Sequence, residues 1–252
     1  MSTMDMPRIK FASSEKLPMG WWPASTGLVA EYGDFRRRGL ASPAARHLGR
    51  IARDATTADL NRQTVIEAMQ CLKSFTSSSR LSVPIVYGMA YSQLAAAEKN
   101  NLRILAYQKG LRSLHRGNRS RVVEILINPS YDPIESSGGE RIHEVSCSAP
   151  GIGIRITRWN KIWLHVLGQR DRLVSGPDAI ILQRAIDYLD GVLPVEVIKS
   201  LGEPLYYVPP EWEAQFFGDE FALDWPIFPY AQYDAMRKGK YNLDAYVRPR
   251  RK

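Results

Sequence analysis

The stretch SVPIVYGMAYSQLAAAEKNNLRILAYQKGLRSLHRG, residues 82–117, governs how the first half of the chain is read. Its small residues Gly88, Ala90 and Ala95 to Ala97 suggest close packing, and the reading is a helix starting near Pro84 and stopping at Asn100 and Asn101. The continuation is ambiguous. Leu102, Leu105, Leu111 and Leu114 allow a further helix, with Gly110 as its weak point.

Upstream, two more helices are expected. Ser42 caps and Pro43 opens the first, which places Leu48, Ile51 and Ala55 on one stripe and Arg46, Arg50 and Arg53 on another. The second is capped by Thr56 or Thr57 and carries Leu60, Val65, Met69 and Leu72 at helical spacing. Downstream of residue 120 the texture turns β-like. RVVEILINP is a β-branched run ended by Pro129, SYDPIESSGGE is a loop, and RIHEVSCSAPG alternates. GIRITRWNKIWLHVLG reads as a hairpin at 152–168 about Asn160 and Lys161, with Arg158 facing Trp163 as a cation–π pair. SGPDAIILQRAIDYLDG is a helix capped by Ser175 and closed by Gly191, and LPVEVIKSLG is a shorter one.

The expected fold class is therefore α+β. About four N-terminal helices pack with a small antiparallel sheet, two helices follow, and an irregular aromatic-rich arm ends the chain. In domain terms, residues 1–41 form an irregular arm, 42–200 a single core and 201–252 an extended arm rich in aromatics and proline.

Charge is unevenly placed. The chain carries net +8, yet residues 36–121 hold 16 Lys/Arg against 4 Asp/Glu, and residues 122–247 hold 11 against 18. Two cysteines, Cys71 and Cys147, are too few for a disulfide framework or a thiolate metal site, which points to a reducing, intracellular compartment. No apolar run is long enough for a membrane span, and the N-terminus lacks the apolar core of a secretory signal. The Arg-rich segment from Phe35 onward resembles an organelle presequence, but it lies behind several acids and is read as part of the mature chain.

Chemical motifs are sparse. There is no phosphate-binding loop, no dinucleotide fingerprint, no nucleophile elbow and no H-E-x-x-H. His143 and Cys147 sit close enough for a nucleophilic pair, although such neighbours arise commonly by chance. Glu124, Asp132, Glu140 and Glu144 are the carboxylates a metal-dependent nuclease would draw on. No catalytic residue, metal ligand or cofactor is assigned.

The basic residues are mostly arginine, which suits bidentate phosphate contact. The expected polyanion face is Arg36, Arg37, Arg38, Arg46, Arg50, Arg53, Arg103, Lys109, Arg112, Arg116, Arg119 and Arg121. Trp21, Trp22, Trp212, Phe216, Phe217 and Trp225 are the expected self-association contacts. The functional expectation is a non-enzymatic assembly protein with no small-molecule substrate. It would self-associate and bind nucleic acid (RNA without sequence preference) or anionic membrane, as viral matrix, capsid and nucleocapsid proteins do. The alternatives are a metal-dependent nuclease, an adaptor for an acidic protein, or an accessory subunit of a ribonucleoprotein assembly such as a mitochondrial ribosome.

Overall fold

The computed structural model describes residues 45–77, 87–109, 122–146, 148–207 and 227–239. Its elements run α1 (Thr57–Leu60), α2 (Gln63–Ser77), β1 (Gly88–Ala90), β2 (Ile104–Lys109), β3 (Val122–Ile127), β4 (Ser130–Pro133), β5 (Gly139–Ser146), β6 (Ala149–Trp159), β7 (Lys161–His165), β8 (Arg172–Ser175), α3 (Pro177–Leu189), α4 (Pro194–Ser200), β9 (Leu205–Tyr207), β10 (Ile227–Phe228) and α5 (Tyr230–Arg237). The strands form three antiparallel sheets, ordered β1-β2-β3, β10-β9-β6-β5 and β4-β7-β8. This corrects the helix-dominated α+β expectation: strands form the frame and few helices support them.

Residues 88–109 are strand and 3-10 turn. β2 is apolar at every position from Ile104 to Tyr107 because both of its faces are covered. Leu105 and Tyr107 point into a cluster with Ala179, Leu182 and Ile186 of α3. Ile104 and Ala106 point into a second cluster with Val65, Leu72 and Phe75 of α2. A period of two with both faces apolar leaves no polar stripe, so spacing alone could not separate it from a buried helix. β1 pairs with β2 in the register Gly88↔Tyr107. Gly88 is there for closeness, since a Cβ would sit 2.2 Å from Ile181 Cγ2. The Gln93 side chain then accepts from Ala90 N (3.0 Å) and turns the chain into the 3-10 segment Tyr91–Gln93.

The segment 42–55 also departs from the expected helix. Its described part makes one 3-10 turn, Arg46–Gly49, and then runs extended. Arg53 bridges Leu102 in parallel, donating its N–H to Asn101 O (3.1 Å) and accepting at its own carbonyl from Arg103 N (2.8 Å). Leu48 and Ala52 enter the core, while Ile51 is 76% exposed, so the predicted Leu48–Ile51–Ala55 stripe does not exist. Thr56 does cap the next helix. It forms a capping box in which Thr56 Oγ1 accepts from Asp59 N and Asp59 Oδ2 accepts from Thr56 N.

The expected hairpin about Asn160 is a sheet-to-sheet crossing. β6 pairs with β5 (Arg158↔Glu140), whereas β7 pairs with β4 and β8 (Trp163↔Leu173). Arg158 is buried and Trp163 is 45% exposed, so the cation–π pair is absent. SYDPIESSGGE, expected as a loop, contributes β4 and one 3-10 turn. The described part of the C-terminal stretch is regular too. β9, β10 and α5 build a third cluster in which Leu205, Phe228, Tyr233 and Met236 meet Ile152, Ile154, Val195 and Ile198. No helix among the described residues is long and apolar enough to cross a membrane.

Candidate functional site

Two contacts between distant parts of the chain lie beside α3, one joining Gln93 to Ser148 and one joining Arg158 to Glu144 and Asp187. The turn after β1 brings Gln93, the turn between β5 and β6 brings Ser148, and the far end of β6 brings Arg158. Gln93 Nε2 donates to Ser148 Oγ at 3.0 Å, and both side chains are buried. The carbonyl oxygen of the same Gln93 amide holds Ala90 N, so one side chain ties the end of β1 to the β5–β6 turn. Gln183 of α3 does similar work for β6. It accepts from Trp159 N (2.9 Å) and donates to Trp159 O (2.8 Å).

The strongest electrostatic feature is a buried ion triad. Arg158 donates through Nε to Glu144 Oε2 (2.5 Å), through Nη2 to Glu144 Oε1 (3.1 Å) and through Nη1 to Asp187 Oδ2 (2.5 Å). Burial opposes charge on Arg158, but the two carboxylates outweigh it and its pKa rises. Burial also pushes the Asp187 carboxyl up to about 6, against the pull of Arg158. The triad locks β5 and β6 to α3 across the sheet–helix interface. In the β1-β2-β3 sheet the Tyr107 phenol donates to Glu124 Oε2 (3.2 Å) while Arg172 pairs with Glu124 Oε1 (2.9 Å).

The predicted basic face divides. Arg53 holds Asp59 bidentately (2.8 Å on both arms) and also Asn100. Arg103 pairs with Asp190 (2.6 Å) and donates to Pro129 O, and Lys109 stands 4.0 Å from Glu124. Arg46 and Arg50 are exposed on the 3-10 turn. Arg36, Arg37, Arg38, Arg112, Arg116, Arg119 and Arg121 lie outside the described residues, as do Trp21, Trp22, Trp212, Phe216, Phe217 and Trp225.

The predicted carboxylates do not converge. Glu124, Asp132 and the pair Glu140 and Glu144 stand on three different sheets. Asp132 contacts His165 Nε2 (3.1 Å), whose Nδ1 meets Asp171 (2.9 Å); the bond to Asp171 is the main reason that the His165 pKa is raised. His143 packs edge-on against Tyr206, with ring centroids 6.3 Å apart, and Cys147 lies outside the described residues. His47 Nε2 faces Leu94 O (3.2 Å), and burial lowers its pKa. Among the described residues no group of three His, Cys, Asp or Glu is placed to hold a metal ion.

Sequence reasoning missed Gln93, Ser148 and the Arg158 triad. A signal for the triad was present. Ile152, Ile154 and Ile156 set the inward register of β6, and Arg158 continues it, so an inward arginine required buried acids.

The family model for polypeptide deformylase matches residues 45–203. No curated protein matches the chain. Solved structures similar to it include a class I type b peptide deformylase of Acinetobacter baumannii with Met-Ala-Ser bound. That likeness has TM-score 0.49 and 19% identity, covering 62% of this chain and 95% of that one. A probable peptide deformylase of Synechococcus phage S-SSM7 is similar at TM-score 0.49 and 17% identity, over 62% and 97%. A peptide deformylase of Synechococcus elongatus in complex with actinonin is similar at TM-score 0.46 and 21% identity, over 65% and 85%.

The family match overturns the expected non-enzymatic, self-associating, polyanion-binding protein of viral matrix type. Its nuclease and ribonucleoprotein alternatives, its RNA and homo-oligomer partners and its lack of a small-molecule substrate fall with it, because the family is one of hydrolytic enzymes acting on peptides. Net charge is a poor guide to the partner, since it reports only on steering and association. The matched span runs through every element that builds the Gln93–Ser148 junction and the Arg158 triad, and on that match the chain belongs to the polypeptide deformylase family.

Proposed function

We propose that this chain recognises the N-terminal end of a polypeptide, the substrate class for which its family is named. The observation that carries the reading is the family match over residues 45–203, which contains both the Gln93–Ser148 junction and the Arg158 triad. The geometry supports it. β1 and β5 are the outer strands of their sheets among the described residues, and the chain leads from each of them to one side of the Gln93–Ser148 contact. An extended peptide adds to such an edge by main-chain hydrogen bonds. A Gln amide N–H and a Ser hydroxyl are donors suited to the carbonyl of a formyl group or of a first peptide bond. The small cysteine count fits work in a reducing compartment.

Hydrolysis of a formamide needs an activated water, commonly on a metal held by three side chains, or a nucleophile with its base. The described residues do not fit a metal, since no three ligand-type side chains converge. What the side chains of the junction offer is binding and orientation.

Fluorescence anisotropy of a labelled formyl-Met tripeptide tests the reading, with formate release followed in the same samples. Saturable binding to the wild type, weakened about tenfold by Gln93→Leu, is the expected result, that being the worth of one hydrogen bond of about 1.4 kcal/mol. Equal affinity for the same tripeptide blocked at its N-terminus by a bulky acyl group refutes N-terminal recognition.

A further inference from the structure

We infer that this chain holds no resident metal ion at the junction, and that the Arg158 guanidinium takes the cationic position between its buried carboxylates. This rests on the junction being the site proposed above, and it stands or falls independently of which peptide that site binds.

Along PDAIILQRAIDYL, α3 carries no His, Cys or Glu. The inward positions beside Asp187 are Ala185 and Tyr188, 1% and 2% exposed, and both belong to the hydrophobic cluster under the sheet. Among the described residues, the buried carboxylates beside α3 are engaged by arginine. Asp187 and Glu144 share Arg158 through three contacts of 2.5–3.1 Å. Asp190, just past the end of α3, pairs with Arg103 at 2.6 Å. Glu124 of β3 pairs with Arg172 at 2.9 Å, and Asp59 with Arg53 at 2.8 Å.

A divalent cation needs deprotonated ligands turned toward one point. Between Glu144 and Asp187 the planar Arg158 guanidinium already satisfies the carboxylates with directed hydrogen bonds, and removing it would strand a buried charge. The histidines do not fill the gap. Of the described ones, His47 faces Leu94 O, His165 lies between Asp132 and Asp171 on another sheet, and His143 packs on Tyr206.

The test is elemental analysis of the full chain, expressed with added zinc, iron, cobalt, nickel and manganese and dialysed without chelator. Thermal melts with and without EDTA accompany it. The expected result is metal far below one equivalent per chain, with a melting temperature that EDTA leaves unchanged. One equivalent of any of these metals retained through dialysis overturns the inference, as does a melting temperature that falls on chelation. Anisotropy of the formyl-Met tripeptide in EDTA keeps the two readings apart. Failure of that peptide to bind a stable, metal-free chain counts against the functional reading alone.

Discussion

Arg158 is the residue whose surroundings most constrain it. With its side chain 5% exposed, and Glu144 and Asp187 at 4% and 14%, it neutralises two largely buried carboxylates. Arg158→Met removes the cation from both and leaves Asp187 only its hydrogen bond with Tyr131, and the expected loss is about 3–5 kcal/mol of folding stability, read by urea denaturation. Replacing all three together by apolar residues of similar size should restore most of that loss. A single substitution costing under about 1 kcal/mol contradicts the triad as drawn. His165 provides the opposite case, an exposed ion pair governed by pH. The hydrogen bond to Asp171, followed by that to Asp132, raises its pKa in the fold. A histidine with a raised folded pKa stabilises fully below the unfolded value near 6.5 and loses that contribution as pH rises through the folded one. The melting temperature of wild type minus that of His165→Gln should therefore shrink between about pH 5.5 and pH 8. A difference that is flat or growing over that range refutes the assignment.

Among the elements, α3 and the loop behind it are the best-marked part of the chain. The sequence reading places a helix between Ser175 and Gly191, and α3 occupies Pro177–Leu189. Gly176 takes the cap position in place of the expected Ser175, and no side chain caps it. Gly191 has φ +72°, and a Cβ there would lie 2.8 Å from the Arg50 carbonyl carbon. Gly191→Ala therefore meets both left-handed strain and backbone contact, and should cost about 2 kcal/mol or more in a thermal melt. A neutral substitution would mean that the Arg50–Ile51 segment gives way freely. The strand β3 and the helix α4 are likewise legible in the sequence; the helix read from Thr56 divides into α1 and α2, and the alternating run RIHEVSCSAPG divides into β5 and the start of β6. The stretch from Gly88 to Lys109 is not. Its apolar residues serve two cores at once, and its Gly88 marks close packing of a strand against Ile181, which a small residue in a helix would also signal. The hairpin fails for a related reason. β6 and β7 alternate correctly, but alternation does not say which strand is the partner, and Asn160 turns the chain from one sheet into another. The candidate site lies out of reach of sequence reading because the Gln93–Ser148 contact and the Arg158–Glu144 contact arise only through these pairings.

Across the molecule, the asymmetric charge has a partly internal explanation. Arg103 of the basic block closes onto Asp190 of the acidic half and Lys109 stands near Glu124, while Arg53 and Arg62 pair with Asp59 within the block itself. Composition counts such residues without saying whether they face inward. That is why net +8 suggests an external polyanion while the family match points elsewhere. What matters most for function is whether a polypeptide end docks along the outer strands beside Gln93 and Ser148. Backbone hydrogen exchange of the full chain, with and without saturating formyl-Met tripeptide, reads this out strand by strand. Docking at the junction should add protection over Gly88–Ala90 and Gly139–Ser146, with little change on the 3-10 turn carrying Arg46 and Arg50. Protection confined to that basic turn, or none on either strand, would refute docking at this junction.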